Sequence, residues 1–271
     1  MAEQKKVYAV EKEDLGTEAE SVTKEMLEVA EVAAEVAGQL DRSKAIARSE
    51  NRKLDGWKPK TNLGKEVKAG QITSIDQIFA SGRKIMEAEI VDMLIPDMSE
   101  DFALIGQMHG KFGGGRRRII RQNQKKTAEG NKPKFTALAI IGNRNGYVGM
   151  GIGKAKESLP AREKALRQAK LNLMPVRRGS GDWADAAGGT HSLPFKVTGK
   201  AGSVRVRLMP APKGTGLVVD EEIKKLLSIA GYKDVRSKSS GQTRQKINFL
   251  KACVQALQKT TKMKEMEAVA K

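Results

Sequence analysis

The chain has 271 residues, a formal net charge of +18, 4% aromatic residues and a single cysteine, Cys253. That length suffices for two modest domains with cores of their own, whereas one thiol excludes an internal disulfide framework and no apolar run approaches transmembrane length. The charge is unevenly placed: residues 1–106 carry 15 Lys and Arg against 21 Asp and Glu, and residues 107–271 carry 35 against 11. So basic a half repels itself unless a polyanion neutralises it, which makes nucleic acid the expected partner. No membrane partner is expected, because the chain shows no basic amphipathic helix with bulky apolar anchors. The first residues, MAEQKK, have no apolar leader segment, so a cytoplasmic location is expected.

Residues 1–56 form an acidic block. Val22, Met26, Val29, Ala33, Val36 and Leu40 recur at alternating spacings of four and three, the seam of a helix, among Glu18, Glu20, Glu25, Glu28, Glu31 and Glu35. The short seam fits either a solvated acidic helix or a docking helix. Residues 57–106 mix turns with short apolar runs and read as an arm packing on the domains that follow. Within it Ser74 and Gln77 have the spacing of a capping box, and Pro96 ends the run from Ile90 to Ile95.

A first domain is expected over residues 107–178. It opens with HGKFGGGRRRIIR, where Arg116, Arg117, Arg118 and Arg121 follow a glycine tract and suit phosphate contact better than a merely solvated face. Gln122 to Lys134 reads as a strand end and a polar loop. Then comes FTALAIIGNRNGYVGMGIGKAKE, Phe135 to Glu157, with an apolar strand, a turn at Asn143-Arg144-Asn145-Gly146, and a second strand in strict alternation. Val148, Met150 and Ile152 share one face of that strand; Tyr147, Gly149, Gly151 and Gly153 share the other. Bare glycine on one face implies close approach of another backbone. With Lys154 and Lys156 following, RNA is the favoured occupant and tight helix packing the alternative. Ser158 to Leu173 is helical, with Leu159, Leu166, Ala169 and Leu173 on an apolar stripe that also contains Arg162.

GSGDWADAAGG marks a linker over 179–189, and a second α+β domain is expected over 190–260, followed by a tail at 261–271. Leu193–Thr198 and Ser203–Met209 alternate as strands, with Val204, Val206 and Leu208 inward and Arg205 and Arg207 outward. Lys213 sits in the rigid loop PAPKGTG. Asp220 caps a helix with Glu221 and Glu222 in its first turn, buried through Ile223, Leu226, Leu227 and Ala230 and stopped by Gly231. A short strand near Val235 precedes a last helix carrying Ile247, Leu250, Val254 and Leu257.

Several long blocks are similar to one family. NRNGYVGMGIGKAKE, the RRG at Arg177 to Gly179, HSLPFKVTGKAGSVRVRLMPAPKGTGL, LLSIAGYKDV and, upstream, WKPKTNLGKEVKAGQITSIDQIF resemble the small-subunit ribosomal protein five family in its archaeal and eukaryotic branch. The resemblance covers roughly four-fifths of the chain, as ordered blocks rather than one short pattern. It does not include the acidic extension, and the loop Lys125–Lys134 is longer and more polar than the family pattern. The resemblance implies a double-stranded-RNA-binding-like first domain and a left-handed crossover in the second. It also implies a place beside the decoding region and the messenger-RNA entry path, contact with small-subunit protein four, and an influence on translational accuracy.

No enzyme is expected. His109 and His191 have no cysteine or acid at ligand spacing, so no metal or other cofactor is expected, and Asp182 and Asp185 are a lone linker pair. Gly149 to Lys154 is no phosphate-binding loop, because Val148 stands where the first glycine belongs and Ala155 follows the lysine. Scattered aromatics exclude a base-stacking sheet, and no helix-turn-helix or zinc module is present. What remains is backbone and shape recognition of ribosomal RNA. The expected contacts are Arg116, Arg117, Arg118, Arg121, Arg144, Lys154, Lys156, Arg177, Arg178 and Lys213, with Asn143, Asn145, Gly149 and Gly151 allowing close approach. A free-standing double-stranded-RNA-binding regulator or ribosome assembly factor is the alternative reading.

Overall fold

The computed structural model describes residues 56–107, 117–180 and 189–262. The acidic helix expected over 1–56, the stretch with His109 and Arg116, the linker residues with Asp182 and Asp185, and the tail past Lys262 lie outside the described residues. The chain divides after Lys58, and the unit that begins at Pro59 carries both sheets.

Three short helices come first: α1 (Asn62–Lys68), α2 (Ile75–Ala80) and α3 (Ala88–Leu94). Thr61 caps α1, its hydroxyl accepting from the Gly64 N–H at 3.1 Å. The Lys60 and Thr61 N–H groups both donate to Glu87 Oε1, at 2.9 and 2.7 Å, which ties the start of α1 to the start of α3. Ser74 stands at the N-cap of α2 but makes no side-chain capping bond, so the expected capping box with Gln77 does not form. Burial of Ile75 and Ile78 holds that helix instead.

The first sheet has strand order β1-β3-β4-β5, built from β1 (Ser99–Phe102), β3 (Gly130–Gly142), β4 (Tyr147–Ala155) and β5 (Leu173–Pro175). A further strand, β2 (Arg121–Thr127), pairs antiparallel with residues 130–136 of β3, while β1 pairs with residues 139–142. The polar loop expected at 122–134 is therefore a two-stranded ribbon. Its tight turn closes at Gly130 (φ +113), where the Thr127 hydroxyl donates to the Gly130 carbonyl at 2.7 Å. A ribbon with both faces in water lacks the apolar alternation by which a strand is recognised.

Helix α4 (Ser158–Leu171) lies across β4 and corrects two expectations. Gly149 and Gly151 do not face RNA. A Cβ on Gly151 would stand 2.2 Å from both the Ala165 carbonyl oxygen and the Ala169 nitrogen, and one on Gly149 2.4 Å from the Ala169 carbonyl oxygen. The buried stripe of α4 is accordingly Ala161, Ala165 and Ala169, while Leu159 is 64% exposed. Helix and strand backbones meet only if both surfaces are nearly flat, so glycine on one side selects alanine on the other. Arg162 is exposed, its guanidinium 5.9 Å from the centroid of the Phe102 ring.

The second sheet has order β6-β7-β9-β8, from β6 (Val197–Ala201), β7 (Val204–Pro210), β8 (Leu217–Val218) and β9 (Val235–Ser240). β6 starts later than expected, because Ser192 pairs with Gly179 and Pro194 has no N–H to donate to a ladder. β8 and β9 are parallel and joined through α5 (Glu221–Ala230), which starts at the Asp220 cap and ends at Gly231 in the left-handed region. Helix α6 (Lys246–Gln258) crosses β6 so closely that a Cβ on Gly199 would lie 1.9 Å from the Ala252 carbonyl oxygen. One buried cluster joins Leu138, Ile140 and Val148 of the first sheet to Leu226 of α5, Val206 of β7 and Leu250 of α6.

Candidate nucleic-acid interface

The long strand β3 divides the expected contact residues into two groups at its two ends. At the ribbon end, Thr136 pairs with Arg121 on one side and Lys154 on the other. The three therefore share one row and one face, with the two cations about 10 Å apart across the sheet. The same face continues outward along the ribbon through Lys134 opposite Asn123 and Lys132 opposite Lys125. All of these basic residues are exposed. Among the described residues only Lys132 has an acid against it, Glu129 at 2.7 Å. Two lysines directly opposite each other repel, so the ribbon presents a charge that an anion would relieve. Lys156 is exposed just past β4.

The other end is the turn at Asn143–Gly146, roughly 20 Å from Thr136 along the strand. Asn143 Oδ1 accepts from the N–H groups of Asn145 at 2.8 Å and Tyr147 at 3.1 Å, fixing the turn internally. Arg144 takes φ +56, and its N–H donates to the Ile229 carbonyl at 2.8 Å; the Gly146 N–H donates to Ala230 at 3.2 Å. The turn thus seats on the C-terminus of α5, where Gly231 leaves room for the Arg144 carbonyl. The Arg178 guanidinium donates to Asn145 Oδ1. The Arg177 carbonyl accepts from the Tyr232 hydroxyl at 2.7 Å, and its N–H donates to Thr260 Oγ1 at 3.2 Å. Asn143, Asn145 and Arg178 therefore shape the junction of the two sheets, and the exposed Arg144 side chain stands over it.

Arg117 lines two depressions. A cavity of about 310 Å³ is bordered by Arg117, Arg121, Arg244 and Lys246. Lys246 Nζ is held by both carboxylate oxygens of Asp220, at 2.6 and 2.7 Å. A wider groove of about 970 Å³ runs past Arg117 and Arg144 but includes Asp101, Glu221 and Glu222, so its charge is mixed. Arg118 is exposed, with its carbonyl accepting from the Gly106 N–H at 2.8 Å. Lys213 is exposed in a loop anchored by the Ala211 N–H on Ser192 Oγ (3.2 Å) and the Gly216 N–H on Asp234 Oδ1 (2.7 Å). It belongs to neither group.

Sequence reasoning missed Lys125, Lys132, Lys134 and Arg244. The signal was present in part: Lys132-Pro133-Lys134 puts two lysines on one face if the segment is extended, but only the pairing with β2 shows that it is. The perturbed titrations belong to groups of the core and of the junction. Burial pushes the Cys253 thiol up to about 12, and burial likewise raises the Tyr232 hydroxyl. Among the described residues no group of three or more His, Cys, Asp or Glu could hold a metal ion. What the surface offers is cations on a rigid frame, which suits phosphate oxygens and needs no bond chemistry.

Residues 119–177 match the family model described as ribosomal protein S5, N-terminal domain, and residues 199–270 match that of the C-terminal domain. The chain is 47% identical over 211 residues to the small ribosomal subunit protein uS5 of Nanoarchaeum equitans, covering 78% of this chain and 90% of that protein. To uS5 of Methanobrevibacter smithii it is 48% identical over 218 residues, covering 79% and 94%. To uS5 of Methanothermobacter thermautotrophicus it is 44% identical over 220 residues, covering 80% and 94%.

Proposed function

Because the chain belongs to the ribosomal protein S5 family, we propose that it serves as a structural, non-catalytic constituent of the small ribosomal subunit that clamps ribosomal RNA and supports translation. The observation that carries the RNA contact is the row Arg121–Thr136–Lys154 and its continuation along the β2–β3 ribbon, where cations are exposed and largely without acids. On this reading Arg117, Arg118, Arg121, Lys154 and Lys156, with Arg116 beside them in sequence, contact phosphates at one end of β3. Lys125, Lys132 and Lys134 extend that contact. Arg144, Arg177 and Arg178 reach phosphates at the other end, and Lys213 does so separately from its own loop.

In the same reading, residues 107–178 form a double-stranded-RNA-binding-like module, supported by an antiparallel sheet with α4 on one face, to which the preceding segment adds β1 (Ser99–Phe102) as an edge strand. Residues 190–260 form the second module, whose left-handed crossover is the β8–α5–β9 connection between parallel neighbours. Residues 1–56 are an acidic extension and 57–106 an arm; the Tyr147 hydroxyl donating to Asp76, with Phe79 stacked on the Tyr147 ring at 6.0 Å, supports the arm's docking. The protein sits in the cytoplasm beside the decoding region and the messenger-RNA entry path, touches small-subunit protein four, and contributes to accuracy.

Sedimentation of a cell extract tests the reading. The chain should migrate with small subunits and crosslink to their RNA through the ribbon. A chain that stays at the top of the gradient while still binding duplex RNA would make it a free-standing regulator instead.

A further inference from the structure

Among the described residues the second sheet has its helices on one side only. α6 covers β6 at Gly199, and Val204, Val206 and Leu208 point into the shared core. No described element covers the opposite face. That face carries Thr198 and Lys200 on β6, Arg205 and Arg207 on β7, and Arg236, Lys238 and Ser240 on β9, all exposed. The register sets like charges directly against each other: Lys200 pairs with Arg205, and Arg207 with Lys238. Side chains so placed have Cβ atoms about 5 Å apart, and like charges there destabilise a sheet. A surface held only for solubility would alternate sign. Yet no acid among the described residues forms an ion pair with Lys200, Arg205, Arg207, Arg236 or Lys238. The cations surround a shallow depression of about 530 Å³, with Lys259 at its rim donating to the Thr198 carbonyl at 2.6 Å.

We infer that this open face of β6, β7 and β9 is a second RNA-backbone docking surface, separate from the β2–β3 ribbon, that seats the phosphates of an A-form helix without reading its bases. The chemistry selects this occupant. A base-reading surface needs exposed aromatic rings to stack on, and the face has none among Thr198, Lys200, Arg205, Arg207, Lys238 and Ser240. A protein partner wants an apolar centre ringed by polar groups. Here the arrangement is inverted, with cations at the centre and Met209 and Val218 at one end, beside Arg236. A phosphate strand asks only for cations at regular spacing, and residues two apart on a strand supply them every ~7 Å. The inference rests on the proposed ribosomal role and assigns that role a second anchoring point on the C-terminal module.

The test uses the full chain and a mixed-sequence RNA duplex, with affinity followed over a salt series. It compares the native protein with a sheet variant (Arg205→Gln, Arg207→Gln, Lys238→Gln) and a ribbon variant (Lys125→Gln, Lys132→Gln, Lys154→Gln). The sheet variant should flatten the dependence of log affinity on log salt by about 2 to 3, since each neutralised phosphate contributes about 0.9. Without RNA it should melt no lower than the native chain, because repulsion has been removed. Duplex should also shield Lys200 and Lys238 from an amine-reactive reagent in the ribbon variant. A sheet variant with native salt dependence, beside a weakened ribbon variant, overturns this inference and leaves the proposed function standing. Loss of duplex binding by the native chain overturns both. If poly-glutamate shields Lys200 and Lys238 and duplex does not, the surface belongs to an acidic protein, and the inference fails.

Discussion

The two faces of strand β4 answer the same question in opposite ways. On one face Gly149, Gly151 and Gly153 are bare and buried; on the other, past the core, Lys154 is charged and exposed. Both departures from an ordinary strand signal a neighbouring backbone. For the glycines that neighbour is α4, whose carbonyl and amide groups would lie within 2.1 to 2.4 Å of any added Cβ. For Lys154 and the row it shares with Arg121, no neighbour is supplied by the described protein. Glycine marks a contact completed within the chain; the exposed lysine has no such contact among the described residues.

The largest expected effect breaks the first half of that comparison. Gly151→Ala sets a methyl group against main-chain atoms of Ala165 and Ala169 that cannot yield as a flexible side chain would. A loss of about 3 kcal/mol is expected, the upper end for overpacking, measured by denaturant unfolding. The folded fraction should bind duplex RNA as the native chain does. Undiminished stability with weakened RNA binding would return the glycine face to RNA and undo the comparison.

Gly231→Ala comes next. The residue has φ +91, and its Cβ would meet the Arg144 carbonyl oxygen at 2.1 Å, so the substitution strains the α5 terminus and lifts the β3–β4 turn from it. A cost of about 2 kcal/mol is expected from strain of this kind. Faster amide exchange at Arg144 and Gly146, whose N–H groups donate to Ile229 and Ala230, would confirm where the damage lies. Unchanged exchange there would separate the turn from α5.

The ribbon variant Lys125→Gln, Lys132→Gln, Lys154→Gln attacks the second half. Exposed substitutions of this type change stability by no more than about 0.5 kcal/mol, while the slope of RNA affinity with salt should fall by about 2 to 3. A large stability loss with an unchanged slope would make these lysines structural.

The sequence made α5 legible almost residue by residue, because its cap, stripe and stop are local signals: Asp220 accepts from the Glu222 N–H at 3.3 Å, and Gly231 takes the left-handed conformation. The alternation of β7 was equally plain. Two things were not legible. The ribbon has no apolar face, so its pairing is written only in the register of two polar segments. The occupant of the glycine face depends on which helix folds back over it. That helix advertises leucines, Leu159 and Leu166, while it buries alanines. Of the expected contact residues, Arg121 and Lys154 meet as a row, a placement that only the strand register reveals, whereas Asn143, Asn145 and Arg178 hold the junction between the sheets.

The smallest effect concerns Cys253, and it separates burial from charge as a source of stability. The thiol is fully buried on α6, with no charged partner among the causes of its shift, and burial alone raises it from 9.0 to about 12. The unfolded chain gives up that proton first. The stability the neutral thiol contributes is therefore complete below about pH 9 and drains away as the pH climbs towards 12. Tyr147 and Tyr232 shift in the same direction from a higher starting value of 10.0, so the window between 9 and 10 belongs mainly to the cysteine. Comparing unfolding of the native chain and Cys253→Ala across that window should show a steeper decline in the native chain, even though the variant is less stable at neutral pH from its small cavity. Parallel declines would mean that Cys253 reaches water in the folded state. The core beneath the basic face of the second sheet would then be looser than its close glycine–alanine packing at Gly199 and Ala252 requires.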